Sequence, residues 1–145
     1  MTRGQVWYLH ASVALTTITG ALFAGMKYWM KSSDEFAVVN HPLQPHMLSV
    51  HVVVAPLLVF GLGWIFSDHI WPKFRQKNAP HRKSGIWSMA MIVPMTMSGY
   101  LLQISTADAT RHAMAVTHWI GSGLFALAYV IHLITKPVRK PRPQD

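Results

Sequence analysis

Nine histidines and no cysteine mark this chain of 145 residues, and four of the histidines lie deep inside predicted apolar spans, away from the span ends. These four are His10, His51, His118 and His132. Ionisable side chains within an apolar span are costly, so each of them is a functional hypothesis. Imidazole is also a ligand for several transition metals. The other five histidines lie where water can solvate them, namely His41, His46, His69, His81 and His112.

Two of the four inner histidines share one stretch, with His132 placed 14 residues after His118. On an α-helix their directions differ by only about 40°, and their levels differ by about 21 Å. They therefore face the same way at two depths. Such a helix can offer one axial imidazole to each of two haem irons, provided that other helices supply the opposite ligands.

Each of the two depths has a further histidine on another predicted helix. His51 lies near the level of His118, and His10 lies near the level of His132. His69 follows His51 by 18 residues and so shares nearly the same helix face. Spacing alone therefore leaves His10 and His69 as alternative partners of His132.

The charge pattern predicts the elements that position these histidines. The chain is 51% apolar and 12% charged, against about 25% charged residues in ordinary soluble domains. Four uncharged stretches exceed the roughly 20 residues that cross a bilayer as a helix; they cover residues 4–26, 36–67, 84–107 and 112–135. We predict an all-α integral membrane protein, an up-down four-helix bundle over residues 1–135. Its spans are expected at about 5–28, 45–69, 84–104 and 110–135.

The 13 basic residues predict the orientation of the bundle. Ten are expected on one side: Arg3, Lys73, Arg75, Lys77, Arg82, Lys83, Lys136, Arg139, Lys140 and Arg142. The other side receives Lys27, Lys31 and Arg111. The positive-inside rule then places both termini in the cytoplasm, with residues 136–145 as a basic tail. Basic loops that touch anionic lipid account for the net charge of +8, so no nucleic-acid partner is expected.

The lack of cysteine excludes several kinds of chemistry from this chain. Covalent c-type haem, an iron–sulfur cluster, a disulfide and thiol catalysis all require cysteine. The predicted loops are short, so no extramembrane domain is expected. The chemistry of the protein is therefore expected within the membrane.

The histidine pattern resembles a known family. His10 on helix one, His51 on helix two and the spaced pair His118 and His132 on helix four resemble the bacterial four-helix di-haem cytochrome b group. That group includes prokaryotic cytochrome b561 and the membrane subunits of formate dehydrogenase and nickel–iron hydrogenase. The resemblance covers all four spans and implies that His10 pairs with His132 around the cytoplasmic-side haem, and His51 with His118.

Two further features bear on this resemblance. Gly121 and Gly123 lie between the two histidines of helix four and belong to its most specific part. The implied pairing favours His10 over His69. The chain departs from the group in being short and in lacking a basic residue shortly before the helix-one histidine, unless Arg3 takes that place.

The resemblance implies a function for the predicted bundle. Two b-type haems would carry electrons across a bacterial cytoplasmic (inner) membrane, between a quinone pool and a redox partner subunit such as a cytochrome c, an iron–sulfur protein or another oxidoreductase. An electron-transfer subunit is expected rather than a stand-alone enzyme. Candidate polar groups for a quinone site are Asp68, His69 and Ser88 on the inner side and Asn40, His46 and Gln103 on the outer side.

Two other functions are compatible with the composition. Nine methionines and nine histidines could serve a copper-handling membrane protein, because thioether sulfur and imidazole both bind copper. No Met-x-x-Met cluster lies in an outer loop, however, and copper would leave the matched histidine depths unexplained. The remaining alternative is a structural membrane subunit with incidental histidines.

Overall fold

A computed structural model of the chain describes residues 1–77 and 82–135. Every regular element in these ranges is helical, which confirms the all-α prediction. The helices are α1 (Arg3–Tyr28), α2 (Gln44–Trp64), α3 (Trp71–Arg75), α4 (Arg82–Ile104) and α5 (Asp108–Ile134), and a π-helical turn covers Phe66–Ile70. His81 and the predicted basic tail, residues 136–145, lie outside the described residues.

Four of these helices, α1, α2, α4 and α5, are long and apolar enough to cross a membrane. Many large apolar side chains on them are exposed, for example Ile18, Val53 and Leu127. Exposed apolar surface of this extent suits lipid better than water. The chain therefore has the features of a multi-pass membrane protein, while the cytoplasmic location of its termini stays a prediction.

Local sequence signals explain where the long helices begin. The side chain of Thr2 accepts a hydrogen bond from the backbone N–H of Gln5, and the side chain of Gln5 accepts one from the backbone N–H of Thr2. This capping box satisfies two of the unpaired N–H groups at the start of α1. Pro45 lies in the first turn of α2, where its missing N–H costs nothing.

The first compact unit, Met1–Trp71, packs α1 against α2. Tyr8 lies in this interface, where its hydroxyl donates to the carbonyl oxygen of Leu57 at 3.1 Å. Its ring meets Phe60 and Trp64 edge to face, with centroids 5.9 and 5.7 Å away. The ring fits because Gly61 has no Cβ, which would stand 2.9 Å from Tyr8 Cε1. A small residue thus lets the two helices approach closely.

The backbone changes character after α2. In the π-helical turn Phe66–Ile70, the N–H of Ile70 reaches the carbonyl oxygen of Ile65 at 3.3 Å. The single helix that the sequence predicts over residues 45–69 is thus divided in the structure, with α2 ending at Trp64. The wider turn brings Asp68 beside the start of α1, where Gln5 Nε2 donates to Asp68 Oδ2 at 3.2 Å.

The second compact unit, which begins at Pro72, packs α4 against α5. Gly121 of α5 lies against Met95 of α4, since a Cβ at Gly121 would stand 3.4 Å from Met95 Cα. A later residue of α5, His132, lies near Gly85 in the first turn of α4. The two helices therefore run antiparallel. Each unit is a helical hairpin, and the four-helix bundle stays a prediction.

Candidate haem-ligating histidines

His51 is half-buried and lies against α1. Its Nδ1 atom is 3.1 Å from the carbonyl oxygen of Thr16 and 3.2 Å from Thr19 Oγ1. The next residue of α1 is Gly20, and a Cβ there would stand 2.9 Å from His51 Cε1. The imidazole therefore reaches the backbone of α1 through the space that this glycine leaves.

The hydrogen-bond roles around His51 indicate its tautomer. A carbonyl oxygen can only accept, so the Thr16 contact requires a proton on Nδ1. The hydroxyl of Thr19 donates to the carbonyl oxygens of Leu15 and Thr16, at 2.7 and 3.2 Å, so towards His51 it acts as an acceptor. In the neutral ring this leaves the lone pair on Nε2, the nitrogen that can bind a metal.

His118 has the same surroundings in the second hairpin. Its Nδ1 is 2.8 Å from the carbonyl oxygen of Met95 and 3.5 Å from Ser98 Oγ. Ser98 in turn donates its hydroxyl to the carbonyl oxygen of Pro94 at 2.6 Å. A Cβ at Gly99 would stand 3.0 Å from His118 Cε1. His118 therefore also carries its proton on Nδ1 and its lone pair on Nε2.

His132 lies against the first turn of α4. Its Nδ1 is 3.1 Å from Ser84 Oγ, and a Cβ at Gly85 would stand 3.7 Å from its Cε1. His118 and His132 thus both direct their imidazoles onto α4, 14 residues apart on α5. Their spacing produces two histidine levels along one helix pair.

A hydroxyl residue followed by glycine recurs beside these three histidines. The dipeptides are Thr19–Gly20, Ser98–Gly99 and Ser84–Gly85. Their position beside the histidines depends on contacts between helices and does not follow from the local sequence. The dipeptide alone is an incomplete signal, because Ser122–Gly123 has the same form and a Cβ at Gly123 would meet nothing within 4 Å.

The remaining two candidates lie in the first hairpin. His10 is half-buried in α1, seven residues after the helix begins. His69 is half-buried in the π-helical turn, and its backbone N–H donates to the carbonyl oxygen of Ile65 at 2.9 Å. Turns of this kind are frequent at functional sites, so His69 keeps its place as the alternative ligand. The expected pairs His10–His132 and His51–His118 stay predictions.

Asp68, next to His69, is fixed by hydrogen bonds. The side-chain amide of Gln5 and the hydroxyl of Ser67 both donate to its carboxylate, at 3.2 and 3.1 Å. These two bonds lower the pKa of Asp68 below its usual 3.8, because they stabilise the charged form. Gln5 itself is only 4% exposed. The contact between Gln5 and Asp68 joins the start of α1 to the π-helical turn that follows α2.

Three of the six polar residues named as quinone-site candidates contact backbone carbonyl oxygens. Asn40 Nδ2 donates to the carbonyl oxygen of Lys27 at 2.7 Å, and Ser88 Oγ donates to that of Ser84 at 3.0 Å. Gln103 Nε2 lies 3.4 Å from the carbonyl oxygen of Gly99. These bonds describe capping and helix-surface roles, and a quinone site stays a prediction.

Within residues 1–77 and 82–135, no three His, Cys, Asp or Glu side chains group together as a metal-ion site. Axial ligation of haem iron uses two protein ligands, and the Nδ1-protonated imidazoles of His51 and His118 have the form that such ligation needs. Comparison with protein-family models, with curated proteins and with solved structures finds no match to this chain.

Proposed function

We propose that this protein transfers electrons across a membrane through two b-type haems. The proposed axial ligands are His10 with His132 and His51 with His118. Bound haem would supply a one-electron redox couple at each of two levels. The chain would supply the ligands, their orientation and an apolar surrounding.

One observation carries this proposal: the Nδ1 atoms of His51 and His118 both point at backbone carbonyl oxygens, at 3.1 and 2.8 Å. Histidines that bind metals commonly donate their second ring N–H to such an acceptor, which fixes the tautomer and the ring orientation. The same arrangement occurs in both helix pairs, at one histidine of each.

The half-buried setting of these rings suits a redox role. Both lie on helices whose remaining surface is largely apolar. Apolar surroundings limit the access of water to a bound metal and lower the local dielectric constant. Both effects help to set the reduction potential of the metal. His51 and His118 would each hold their lone pair in a fixed direction without a rearrangement during electron transfer.

The proposed partners are a quinone and a redox partner subunit, and the proposed location is the bacterial cytoplasmic membrane. The resemblance of the histidine pattern to di-haem cytochromes b supports both. The excess of basic residues in the predicted inner segments supports cytoplasmic termini.

The ligand assignment is tested by haem content in matched histidine variants. His51→Ala and His118→Ala should each reduce the haem from two per chain to one. His46→Ala and His112→Ala are the controls, because these exposed histidines lie on the same two helices. Added imidazole should restore the lost haem in the ligand variants, which separates ligand loss from misfolding. Two haems retained in His51→Ala and His118→Ala would contradict the assignment.

The electron-transfer function needs a separate assay. Proteoliposomes that contain trapped ferricyanide should reduce it when a quinol is added outside, and the double variant His51→Ala/His118→Ala should not. Equal rates in liposomes with and without the protein would refute the function. Copper in place of haem in the purified protein would favour the copper-handling alternative.

A further inference from the structure

Three glycines lie opposite the three histidines at different distances. A Cβ atom at Gly20 would stand 2.9 Å from His51 Cε1 and 3.1 Å from His51 Nδ1. At Gly99 it would stand 3.0 and 3.2 Å from the same two atoms of His118. At Gly85 the distances to His132 are 3.7 and 3.8 Å, which is ordinary van der Waals contact.

Gly20 and Gly99, the two close glycines, each lie four residues after the residue whose carbonyl oxygen accepts the hydrogen bond from the imidazole. The acceptor for His51 is the carbonyl oxygen of Thr16, four residues before Gly20. The acceptor for His118 is that of Met95, four residues before Gly99. In an α-helix this carbonyl bonds the N–H of the glycine itself. A side chain at the glycine would occupy the space through which the imidazole reaches this shared acceptor.

The hydroxyl before each close glycine completes the arrangement. Thr19 and Ser98 both donate their own protons to backbone carbonyls of the same helix. Each therefore presents oxygen lone pairs to the ring, at 3.2 Å for His51 and 3.5 Å for His118. Two acceptor oxygens thus face each Nδ1.

We propose that Thr19–Gly20 and Ser98–Gly99 are positioning residues for His51 and His118, and that they set the reduction potential of the haem these histidines bind. This inference rests on the proposed haem function. Hydrogen bonding at Nδ1 makes the imidazole a more basic ligand, which favours ferric iron. Loss of the bond therefore raises the potential. Gly85 has room for a methyl group and does not have this role.

Alanine substitution tests the proposal because it adds one methyl group in each case. Gly20→Ala and Gly99→Ala should displace the imidazole from its carbonyl, whereas Gly85→Ala should not. Alanine is the most favourable helix residue, so the backbone gains no strain from any of the three. Gly63→Ala is a second control, since a Cβ there would meet nothing within 4 Å.

One measurement is a redox titration of the purified haem protein, followed by optical and EPR spectroscopy. In Gly20→Ala and Gly99→Ala, the equilibrium of one haem should shift about tenfold towards the reduced form, about 59 mV for one electron. The low-spin EPR signal of that haem should change with it. Gly85→Ala and Gly63→Ala should match the wild type. Equal potentials in all four variants would overturn the inference and leave the haem function standing.

A second measurement needs no haem. In the 145-residue chain labelled with ¹⁵N-histidine, His51 and His118 should give NMR shifts of the Nδ1-protonated tautomer before haem is added. Gly20→Ala should alter only His51, and Gly99→Ala only His118. If the wild-type chain binds no haem, the proposed function fails while this measurement still decides whether the glycines position the rings. Unchanged shifts in both variants would refute the positioning role.

A further variant guards against misfolding of the alanine substitutions. Thr19→Val removes the acceptor at 3.2 Å from His51 and keeps the branched shape of the side chain, with a methyl group in place of the hydroxyl. It should raise the potential in the same direction as Gly20→Ala, by a smaller factor. A correctly folded Thr19→Val protein with a lowered potential would contradict the proposal.

Discussion

Gly61 and Gly63 provide a matched pair for the packing of the first hairpin. They lie two residues apart in α2, yet a Cβ at Gly61 would stand 2.9 Å from Tyr8 Cε1 and one at Gly63 would meet nothing within 4 Å. Gly61→Ala should therefore displace the Tyr8 ring, and with it the hydrogen bond from Tyr8 to the carbonyl oxygen of Leu57. Gly63→Ala should leave the interface unchanged.

The expected change in the free energy of unfolding follows from three effects. Overpacking costs about 1–3 kcal/mol, and the lost hydrogen bond costs about 0.5–1.5 kcal/mol. Alanine recovers up to about 1 kcal/mol through its higher helix propensity. Gly61→Ala should thus lower the free energy of unfolding by about 0.5–4.5 kcal/mol, whereas Gly63→Ala should leave it unchanged or raise it slightly.

The assay is reversible unfolding in mixed micelles, followed by tryptophan fluorescence. Trp64 lies beside Tyr8 and reports on this interface. Tyr8→Phe removes the hydroxyl alone and should lose only about 0.5–1.5 kcal/mol. Equal stability of Gly61→Ala and Gly63→Ala would refute the close packing of Tyr8 against Gly61.

Three further predictions concern the pH dependence due to Asp68, the choice between His10 and His69 as a haem ligand, and the location of the C-terminus. The pKa of Asp68 is lowered in the folded state. The ionised Asp68 should therefore stabilise the fold fully above pH 3.8, and this stabilisation should be lost as the pH falls through the lowered pKa. Asp68→Asn should make the melting temperature change less between pH 6 and pH 3. Haem content should fall to one per chain in His10→Ala and stay at two in His69→Ala, and the opposite result would make His69 the ligand. A reporter fused after residue 145 should be active as a cytoplasmic GFP and inactive as alkaline phosphatase, and the reverse would contradict the predicted orientation.

The sequence predicts the helices well because their signals are local. Uncharged stretches longer than a bilayer crossing mark α1, α2, α4 and α5, and each is helical in the structure. The start of α1 at Arg3, two residues before the predicted span, depends on an equally local signal, the capping box of Thr2 and Gln5. Such signals need no knowledge of the neighbouring helices.

Features that depend on contacts distant in sequence do not follow from local patterns. The π-helical turn brings Asp68 to Gln5, 63 residues earlier in the chain. No local pattern in residues 45–69 indicates that contact, so the sequence gives one uninterrupted helix there. Only the structure shows that α2 ends at Trp64.

The candidate site also has one part that the sequence predicts and one part that depends on contacts between helices. The 14-residue spacing of His118 and His132 predicts one helix face, and both rings lie against α4. Which carbonyl each ring meets depends on the register between the two helices. That register places Ser98 and Gly99 beside His118. The residues around Ser98 and Gly99 in the sequence do not indicate this contact.

The central claim is that this chain holds two b-type haems, and haem quantitation tests it most directly. The purified protein should show a b-type α band in the dithionite-reduced minus oxidised spectrum, with two haems per chain by the pyridine haemochrome assay. A purified, folded protein without an α band would contradict the account, and a stoichiometry of one would contradict the two-level arrangement of the four histidines.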